Sequence, residues 1–257
     1  MKLSFIIPAY NEEDLISKCL ESILKQAASR LGDIEIIVVN NASTDKTREI
    51  ALSFPGVIVV DEPQKGIVHA RHAGFLASSG DLIANIDADT MLTPGWINKI
   101  LKAFSDNQNL VALSGPHIFY DLSRTFNFWA RLFYGIGFVS YLLNRFIFRV
   151  GSMIQGGNFV VKRSALQKIG GYNSEFDFWG EDSDIARRLH SIGDVKFTFN
   201  LPIYASGRRI VAEGAPTIAW RYGINYFWTI FFKKPFTKTY LDVRPKNKEK
   251  QKYESPF

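Results

Sequence analysis

Residues 3–16 read LSFIIPAYNEEDLI, an apolar run that ends at a proline and passes into an acidic stretch. The apolar residues 3–7 predict a buried parallel strand, and Pro8, which has no N–H to donate to a neighbouring strand, predicts where the chain leaves the sheet. A helix should follow, with Asn11 as its N-cap and acidic residues 12–14 in its first turn. Its predicted apolar face consists of Leu15, Ile16, Cys19, Leu20, Ile23 and Leu24.

The same alternation of strand and helix continues along the chain. Further strands are predicted at residues 34–39, 57–60, 82–86 and 110–113. Helices are predicted after a cap at Ser43 or Thr44, at 66–79, at 96–104 after a cap at Thr93, and at 183–191. This order predicts the α/β class, a mostly parallel central sheet flanked by helices, with ligands bound beyond the carboxyl ends of the strands.

Length and composition predict one globular domain. The chain has 257 residues, of which 46% are hydrophobic and 22% charged. We expect the domain to span residues 1–240, with halves at 1–115 and 116–240, followed by a tail at 241–257. Residues 233–252 contain eight Lys or Arg and two acidic residues, a difference of six that equals the formal net charge of +6.

The placement of this charge bears on partners and location. Because the excess is terminal, the body is near neutral and no nucleic-acid partner is predicted. The tail is either solvated or bound to anionic lipid, where each cation contributes about 1 kcal/mol. The single cysteine, Cys19, and an N-terminal apolar run too short for a signal peptide predict a cytoplasmic location. Peripheral contact with the inner face of the membrane is a further expectation.

Asp87-Ala88-Asp89 directly follows the apolar run 82–86. In extended backbone, residues two apart point to the same side, so both carboxylates should face one ligand. Hard oxygen ligands at the end of a strand suit Mn²⁺ or Mg²⁺, which would stabilise charge on a departing diphosphate. Asp-x-Asp is also ordinary turn composition, and the spacing alone leaves both interpretations open.

Four motifs together resemble family 2 glycosyltransferases in order and spacing. They are Phe5 to Glu13, Val38 to Asp45, Asp87-Ala88-Asp89 and Gly180-Glu181-Asp182. The resemblance covers roughly residues 3 to 210. It implies a GT-A fold, a divalent metal, inversion at the anomeric carbon, a nucleotide-binding half at 1–115 and an acceptor-side half at 116–240 with aromatic-rich helices.

The resemblance also implies roles for individual residues. Asp182 would be the catalytic base, and Asp87 and Asp89 the metal ligands. The donor, a UDP- or GDP-type nucleotide sugar, would contact Pro8, Ala9, Tyr10, Glu12, Asn41, Arg71, Asp87, Ala88 and Asp89. The sugar or the acceptor would contact Gly157, Asn158, Trp179, Glu181, Arg208 and Arg209.

Each assignment has a structural alternative. Asn41 stands where many relatives have an aspartate, and it could serve only as a turn residue. The glycine beside Asn158 could mark a bulge, and Asp182 could complement a helix dipole. Arg208 and its neighbour could pair with surface acids. His190 could be an extra metal ligand, although an ordinary helical histidine is the simpler interpretation.

Two aromatic segments, residues 126–148 and 220–236, also carry cations. The longest uncharged apolar stretch, 132–143, is well short of the ~20 residues that span a bilayer. The first segment is therefore either an interfacial helix or a helix packed over the active site. A lipid-linked or glycan acceptor would suit both. Two competing functions are a sugar-phosphate nucleotidyltransferase, which usually has a glycine-rich loop after the first strand, and a catalytically silent membrane-associated binding module.

Overall fold

The computed structural model describes residues 1–28, 32–148, 153–176, 178–237, 239–244 and 252–254. Most of the predicted tail lies outside the described residues. The strands are β1 (Leu3–Ala9), β2 (Ile34–Asn40), β3 (Val57–Asp61), β4 (Leu82–Ile86), β5 (Thr90–Leu92), β6 (Leu110–Ser114), β7 (His117–Phe119), β8 (Asn158–Lys162), β9 (Asp194–Phe197), β10 (Ile203–Ala205), β11 (Thr239–Leu241) and β12 (Lys252–Glu254).

Helices alternate with most of these strands. They are α1 (Ile16–Ala27), α2 (Thr47–Leu52), α3 (Ile67–Ala77), α4 (Trp96–Asp106), α5 (Arg124–Leu142), α6 (Arg163–Lys168), α7 (Glu181–His190), α8 (Arg208–Glu213) and α9 (Ala215–Phe232). A π-helical segment, Leu143–Phe148, continues α5. Each predicted strand and helix is present, with ends that differ by a few residues.

The central sheet has the strand order β3-β2-β1-β4-β8-β6-β9 within the described residues. All neighbours are parallel except β8, which runs antiparallel to both β4 and β6. The predicted α/β class with a mostly parallel sheet is confirmed. Because β1, β2 and β4 run the same way, the loops that follow them meet at one edge of the sheet.

Successive residues of β1 face opposite layers of the core, as extended backbone requires. Phe5 and Ile7 belong to the layer that contains α1 and α4, and the Phe5 ring lies 5.9 Å from that of Trp96. Ile6 belongs to the layer that contains α3 and α7. Both faces of the strand are therefore buried, which explains its continuous apolar run.

A second sheet, with the order β5-β10-β7, lies beyond the end of β4. Strand β10 pairs antiparallel with β5 and parallel with β7. These three short strands were not predicted. They matter because β5 begins directly after Asp89, and β7 begins at His117, so the sheet brings a distant histidine toward the Asp-x-Asp motif.

The predicted N-cap of α1 is wrong. The helix begins at Ile16, and Asn11 adopts a left-handed conformation with φ of 51°. The Asn11 side-chain oxygen accepts a hydrogen bond from the Thr44 backbone N–H at 2.8 Å, and the Asn11 N–H donates to Ser43 Oγ at 3.1 Å. These polar residues tie the loops after β1 and β2 together instead of capping helices.

The other predicted caps are also wrong. Helix α2 begins at Thr47, whose backbone N–H donates to the Asp45 side chain at 2.9 Å. Helix α4 is preceded by Gly95 in a left-handed conformation, and the Thr93 hydroxyl donates to the Pro202 carbonyl at 2.6 Å. The residues predicted as caps, Ser43 or Thr44 for α2 and Thr93 for α4, therefore do not cap these helices.

Candidate functional site

A cavity of about 680 Å³ opens at the carboxyl ends of β1, β2 and β4. It brings together most of the residues that the sequence indicated. Those lining it are Pro8, Ala9, Tyr10, Glu12, Asn41, Asp87, Ala88, Asp89, Trp179, Asp182, Arg208 and Arg209. Four predicted residues, Arg71, Gly157, Asn158 and Glu181, lie behind this wall.

The Tyr10 ring lies between two cations. The Lys65 Nζ atom is 3.8 Å from the ring centroid, and the Arg244 guanidinium carbon is 4.8 Å from it. Cation–π contacts of this kind stabilise the position of the ring, which belongs to the loop after β1. A flat aromatic ring and two positive charges can together receive an anionic ligand that carries a planar group.

Arg208 links the β1 loop to the Asp-x-Asp motif. Its Nη2 atom contacts Glu12 Oε1 and lies 3.0 Å from Asp89 Oδ2. Burial raises the pKa of Glu12 to about 6, although Arg208 acts in the opposite direction. Burial likewise raises the pKa of Asp89, again opposed by Arg208. Both acidic partners line the cavity, so the alternative that the sequence left open, pairing with surface acids, does not apply to this arginine.

The acids at the end of β4 fit a hard divalent ion. The side chains of Asp87 and Asp89 are 34% and 18% exposed and open into the cavity. Two buried atoms in the same wall, Glu12 Oε2 and His117 Nε2, have no hydrogen-bond partner. Carboxylate oxygens are the ligands that such ions prefer.

The protein ligands do not complete a coordination shell. Among the described residues, no group of three or more His, Cys, Asp or Glu is arranged to hold an ion. Mg²⁺ and Mn²⁺ commonly take their remaining ligands from phosphate oxygens and water. His190 does not line the cavity and interacts with Arg145 and Asp194, in agreement with the simpler interpretation of an ordinary helical histidine.

Gly157 explains how Asp87 fits beside β8. The glycine has a φ of 72°, and a Cβ atom on it would collide with the Asp87 carboxylate. Only a residue without a side chain allows this backbone and carboxylate to approach so closely. The glycine therefore positions a candidate metal ligand and does not itself face the cavity.

Arg71 is fully buried, with 1% of its surface exposed. It forms an ion pair with Glu181 through Nη1, and its Nη2 atom lies 3.4 Å from Asp87 Oδ1. Burial raises the pKa of Glu181 to about 7, against the lowering effect of Arg71. Arg71 therefore connects α3, the end of β4 and the start of α7 from behind the cavity wall.

Asp182 differs from its neighbour Glu181 in access. Asp182 lines the cavity, whereas Glu181 is buried against Arg71. The Asp182 Oδ1 atom accepts from the Ser183 N–H at 2.7 Å, and Oδ2 accepts from the Gly156 N–H at 3.2 Å. Burial nevertheless raises its pKa, which favours the proton-accepting role that the sequence suggested.

Asn158 does not reach the cavity, so the predicted sugar contact is wrong. Its side chain has no exposed surface. The amide donates to the carbonyls of Gly115 and Leu201, each at 2.9 Å, and its oxygen accepts from the Trp96 indole N–H at 3.2 Å. The side chain therefore holds β8 against the loops after β6 and β9.

Asn41 is also committed to the protein. Its amide donates to the Glu62 carbonyl at 3.0 Å and the Gln64 carbonyl at 2.7 Å, and its oxygen accepts from the Gly66 N–H at 2.8 Å. Asn41 nevertheless lines the cavity, and its contact with a base stays a prediction. Asn41 fixes the loop before α3, including the segment that places Lys65 on Tyr10.

Trp179 and Arg209 line the part of the cavity formed by the second half of the chain. The Trp179 indole N–H donates to the Thr239 carbonyl at 3.0 Å. Arg209 Nη1 lies 2.8 Å from Glu213 Oε1, and its guanidinium carbon is 4.5 Å from the centroid of the Phe178 ring. Both side chains line the cavity while the Trp179 N–H and the Arg209 Nη1 atom bond to the protein.

Some lining residues had no individual sequence signal. His117 lies in a short strand and stands alone among apolar residues. The cavity also extends between α5 and α9, which contain most of the aromatic residues of the two segments noted in the sequence. The aromatic residues of these two segments were the feature of the sequence that could have indicated this part of the cavity.

Among the described residues, no helix is both long and apolar enough to cross a membrane.

Comparison with known proteins indicates a single class, the glycosyltransferases. Residues 4–170 match the model of glycosyl transferase family 2, and residues 147–201 match a model described as the N-terminal domain of galactosyltransferase. The chain is 29% identical over 131 residues to glycosyltransferase GlyA of Streptococcus pneumoniae serotype 4, which covers 49% of this chain and 18% of GlyA. The chain spans less than half the length of the curated relatives that it matches.

Two solved structures share the fold. The S. aureus TarS fragment 1–349 superposes with a TM-score of 0.64 and 16% identity, over 91% of this chain and 73% of that one. The mannosyltransferase PcManGT from Pyrobaculum calidifontis, solved with GDP-Man and Mn²⁺, gives a TM-score of 0.66 and 20% identity, over 90% of this chain and 63% of that one. The expected glycosyltransferase fold is confirmed.

The corrected role of Asn158 is testable. Replacing it with Ala should lower the free energy of unfolding in urea by about 2 kcal/mol or more, because buried carbonyls and an indole N–H lose their partner. Nucleotide affinity at a temperature where the variant is folded should stay near the wild-type value. A variant with unchanged stability but weaker sugar binding would restore the sugar contact.

Proposed function

The chain belongs to glycosyl transferase family 2, and we propose that it transfers a sugar, with inversion, from a nucleotide diphosphate to an acceptor hydroxyl. The observation that carries this proposal is that Asp182, Asp87 and Asp89 face one cavity from different elements. The acceptor oxygen bonds to the anomeric carbon as its proton passes to Asp182. The bond to the diphosphate oxygen breaks, and the nucleoside diphosphate leaves with that electron pair.

Donor binding is assigned to the nucleotide-side half, residues 1–115. The base and ribose of a UDP- or GDP-type donor would lie on the β1 loop beside Tyr10. A divalent ion such as Mn²⁺ or Mg²⁺, held by Asp87 and Asp89, would act as a Lewis acid toward the departing diphosphate. Of the two candidate arginines we assign the diphosphate contact to Arg208, because its Nη2 atom lies 3.0 Å from the candidate metal ligand Asp89, whereas Arg209 pairs with Glu213 and the Leu241 carbonyl.

Access to the cavity favours Asp182 over Glu181 as the base. A base must lie within hydrogen-bonding reach of the acceptor, and Asp182 is the carboxylate of the pair that opens into the cavity. Its bonds to two backbone N–H groups fix its orientation. Glu181, paired with the buried Arg71, positions the start of α7 and does not touch substrate.

We propose that the enzyme is cytoplasmic and contacts the membrane peripherally through its acceptor-side half, residues 116–240. Helices α5 and α9 expose large apolar side chains: Trp129 and Trp220 are 63% and 68% exposed, and Phe231 is 64% exposed. Large apolar side chains exposed together on a protein surface commonly mark an interaction site. Cations such as Arg131 and Lys233 lie on the same helices or at their ends, which suits anionic headgroups.

The metal site predicts a loss of donor binding. Asp89→Ala should weaken Mn²⁺-dependent binding of UDP or GDP by at least about tenfold, or about 1.4 kcal/mol, because one of two protein ligands is lost. Isothermal titration with and without Mn²⁺ measures this effect. Asp106→Ala, which removes a surface acid paired with Lys102, is the control and should bind like the wild type. Equal metal-dependent affinity in Asp89→Ala would contradict the assignment.

The base predicts a loss of transfer without a loss of binding. Asp182→Asn should lower the transfer rate, or slow donor hydrolysis where no acceptor is known, by at least ~10²-fold while donor affinity barely changes. Glu181→Gln should instead lower stability, since it breaks a buried ion pair. Only the ionised carboxylate accepts the proton, so wild-type activity should fall as pH drops through a pKa that burial raises above the usual aspartate range.

The contrary outcome for this pair is specific. If Asp182→Asn keeps near-normal transfer and Glu181→Gln loses it, the base is Glu181. The reaction class would survive that result, because both carboxylates lie at the start of α7.

Membrane contact predicts binding to anionic vesicles. The chain should sediment with vesicles of phosphatidylglycerol and phosphatidylcholine at low salt, and high salt should weaken this binding because it screens the cations. The double variant Trp129→Ala, Trp220→Ala should bind several-fold less. Leu76→Ala, which removes an equally exposed apolar side chain on α3, is the matched control. Equal binding to neutral vesicles would argue against the electrostatic contribution.

A further inference from the structure

The cavity continues from the candidate active site into a channel between α5 and α9. We name this part the interhelical groove. Its walls include Phe133, Ile136 and Gly137 from α5 and Ala219, Gly223 and Phe227 from α9. Asp182 and Trp179 lie at its inner end, in the same continuous cavity. Whatever fills the groove therefore extends directly to the site of transfer.

The groove offers little to a sugar. None of the described residues that α5 and α9 contribute to its wall is charged. The Tyr134 hydroxyl donates to Gln155 Oε1 at 3.1 Å, and the Tyr226 hydroxyl accepts from the Asn144 amide at 3.0 Å. Asn225 donates to the Arg221 carbonyl and to the Thr237 hydroxyl, each at 2.8 Å. The wall also carries the hydroxyls of Ser140 and Tyr222, but it has no charged group, so sugar hydroxyls would lose water there and find few partners.

A hydrocarbon chain suits the same walls. Each buried methylene contributes about 0.8 kcal/mol on transfer from water, and no hydrogen bond is needed. The outer end of the groove opens beside exposed apolar side chains, since Ile136 is 68% and Phe227 49% exposed. The groove is thus continuous with the apolar face that we assign to the membrane, and a chain could pass from lipid to the active site without crossing water.

We propose that the interhelical groove binds the hydrocarbon chain of a lipid-linked acceptor and thereby presents its hydroxyl to Asp182. The inference rests on the proposed function, because it names the acceptor of that same site. A molecule with a polar end and an apolar chain matches both ends of the cavity. The six groove residues thus select for acceptors attached to lipid.

Three glycines provide matched variants. A Cβ atom on Gly137 would point toward Met153 at 3.7 Å, an ordinary contact inside the groove, and a Cβ on Gly223 would meet open space in the groove wall. Gly135, two residues from Gly137 in the same helix, also has open space but lies outside the wall. Leu favours helix over Gly, so none of the three substitutions should unfold its helix.

The experiment measures binding of 11-(dansylamino)undecanoic acid, whose fluorescence rises in an apolar site, to the full chain in buffer without vesicles. Gly137→Leu and Gly223→Leu should each weaken binding by about tenfold or more, because the added side chain fills the groove. Gly135→Leu should bind like the wild type. Gly137→Leu and Gly223→Leu should bind anionic vesicles like the wild type, since their added side chains lie in the groove wall and not on the outer face.

Several results would overturn the proposal. They are the absence of probe binding by the wild type, equal binding by all variants, equal loss in Gly135→Leu, and displacement of the probe by an oligosaccharide. A parallel loss of vesicle binding in Gly137→Leu would show that the groove is not distinct from the membrane surface. Failure of the proposed function is seen separately, as missing Mn²⁺-dependent nucleotide binding while probe binding persists.

Discussion

The buried guanidinium of Arg71 is the constraint on which the site depends. A charge removed from water is costly unless acids surround it, and here Glu181 and Asp87 are the acids. Since these residues come from α3, α7 and the end of β4, their pairing fixes three elements at one point. Because Asp182 directly follows Glu181, that pairing also positions Asp182 at the cavity wall. One buried cation thus links the start of α7, where the candidate base lies, to Asp87, a candidate metal ligand.

A second cation acts from the opposite side and is more accessible. Arg208 contacts Glu12 and Asp89 with 21% of its side chain exposed, whereas Arg71 is closed off from the cavity. An arginine at the cavity wall can exchange an acidic partner for a phosphate group at little cost, because both accept its paired N–H groups. Arg71 therefore stabilises the fold around the site, whereas Arg208 lies where it can contact a ligand.

The cavity has two chemically different ends because its two halves come from different kinds of element. Loops at the carboxyl ends of parallel strands supply carboxylates and backbone N–H groups, and two aromatic helices supply an uncharged wall. A polar, charged end suits a nucleotide and a metal ion, and an apolar end suits a hydrocarbon chain. The sheet supplies the polar end of the cavity, and the helices that follow it supply the apolar end to which we assign the acceptor.

The sequence alone determined the elements and the points where chemistry could occur. Apolar periodicity predicts strands and helices locally, so the alternation, the place of Asp87 and Asp89 after β4 and the place of Asp182 at the start of α7 were all predictable. The partners of polar side chains were not. Asn11, Asn41 and Asn158 looked suited to a cap, a base and a sugar, yet each bonds to backbone or side chains distant in sequence. A hydrogen bond depends on which groups the fold brings within about 3 Å, and only the tertiary structure decided that.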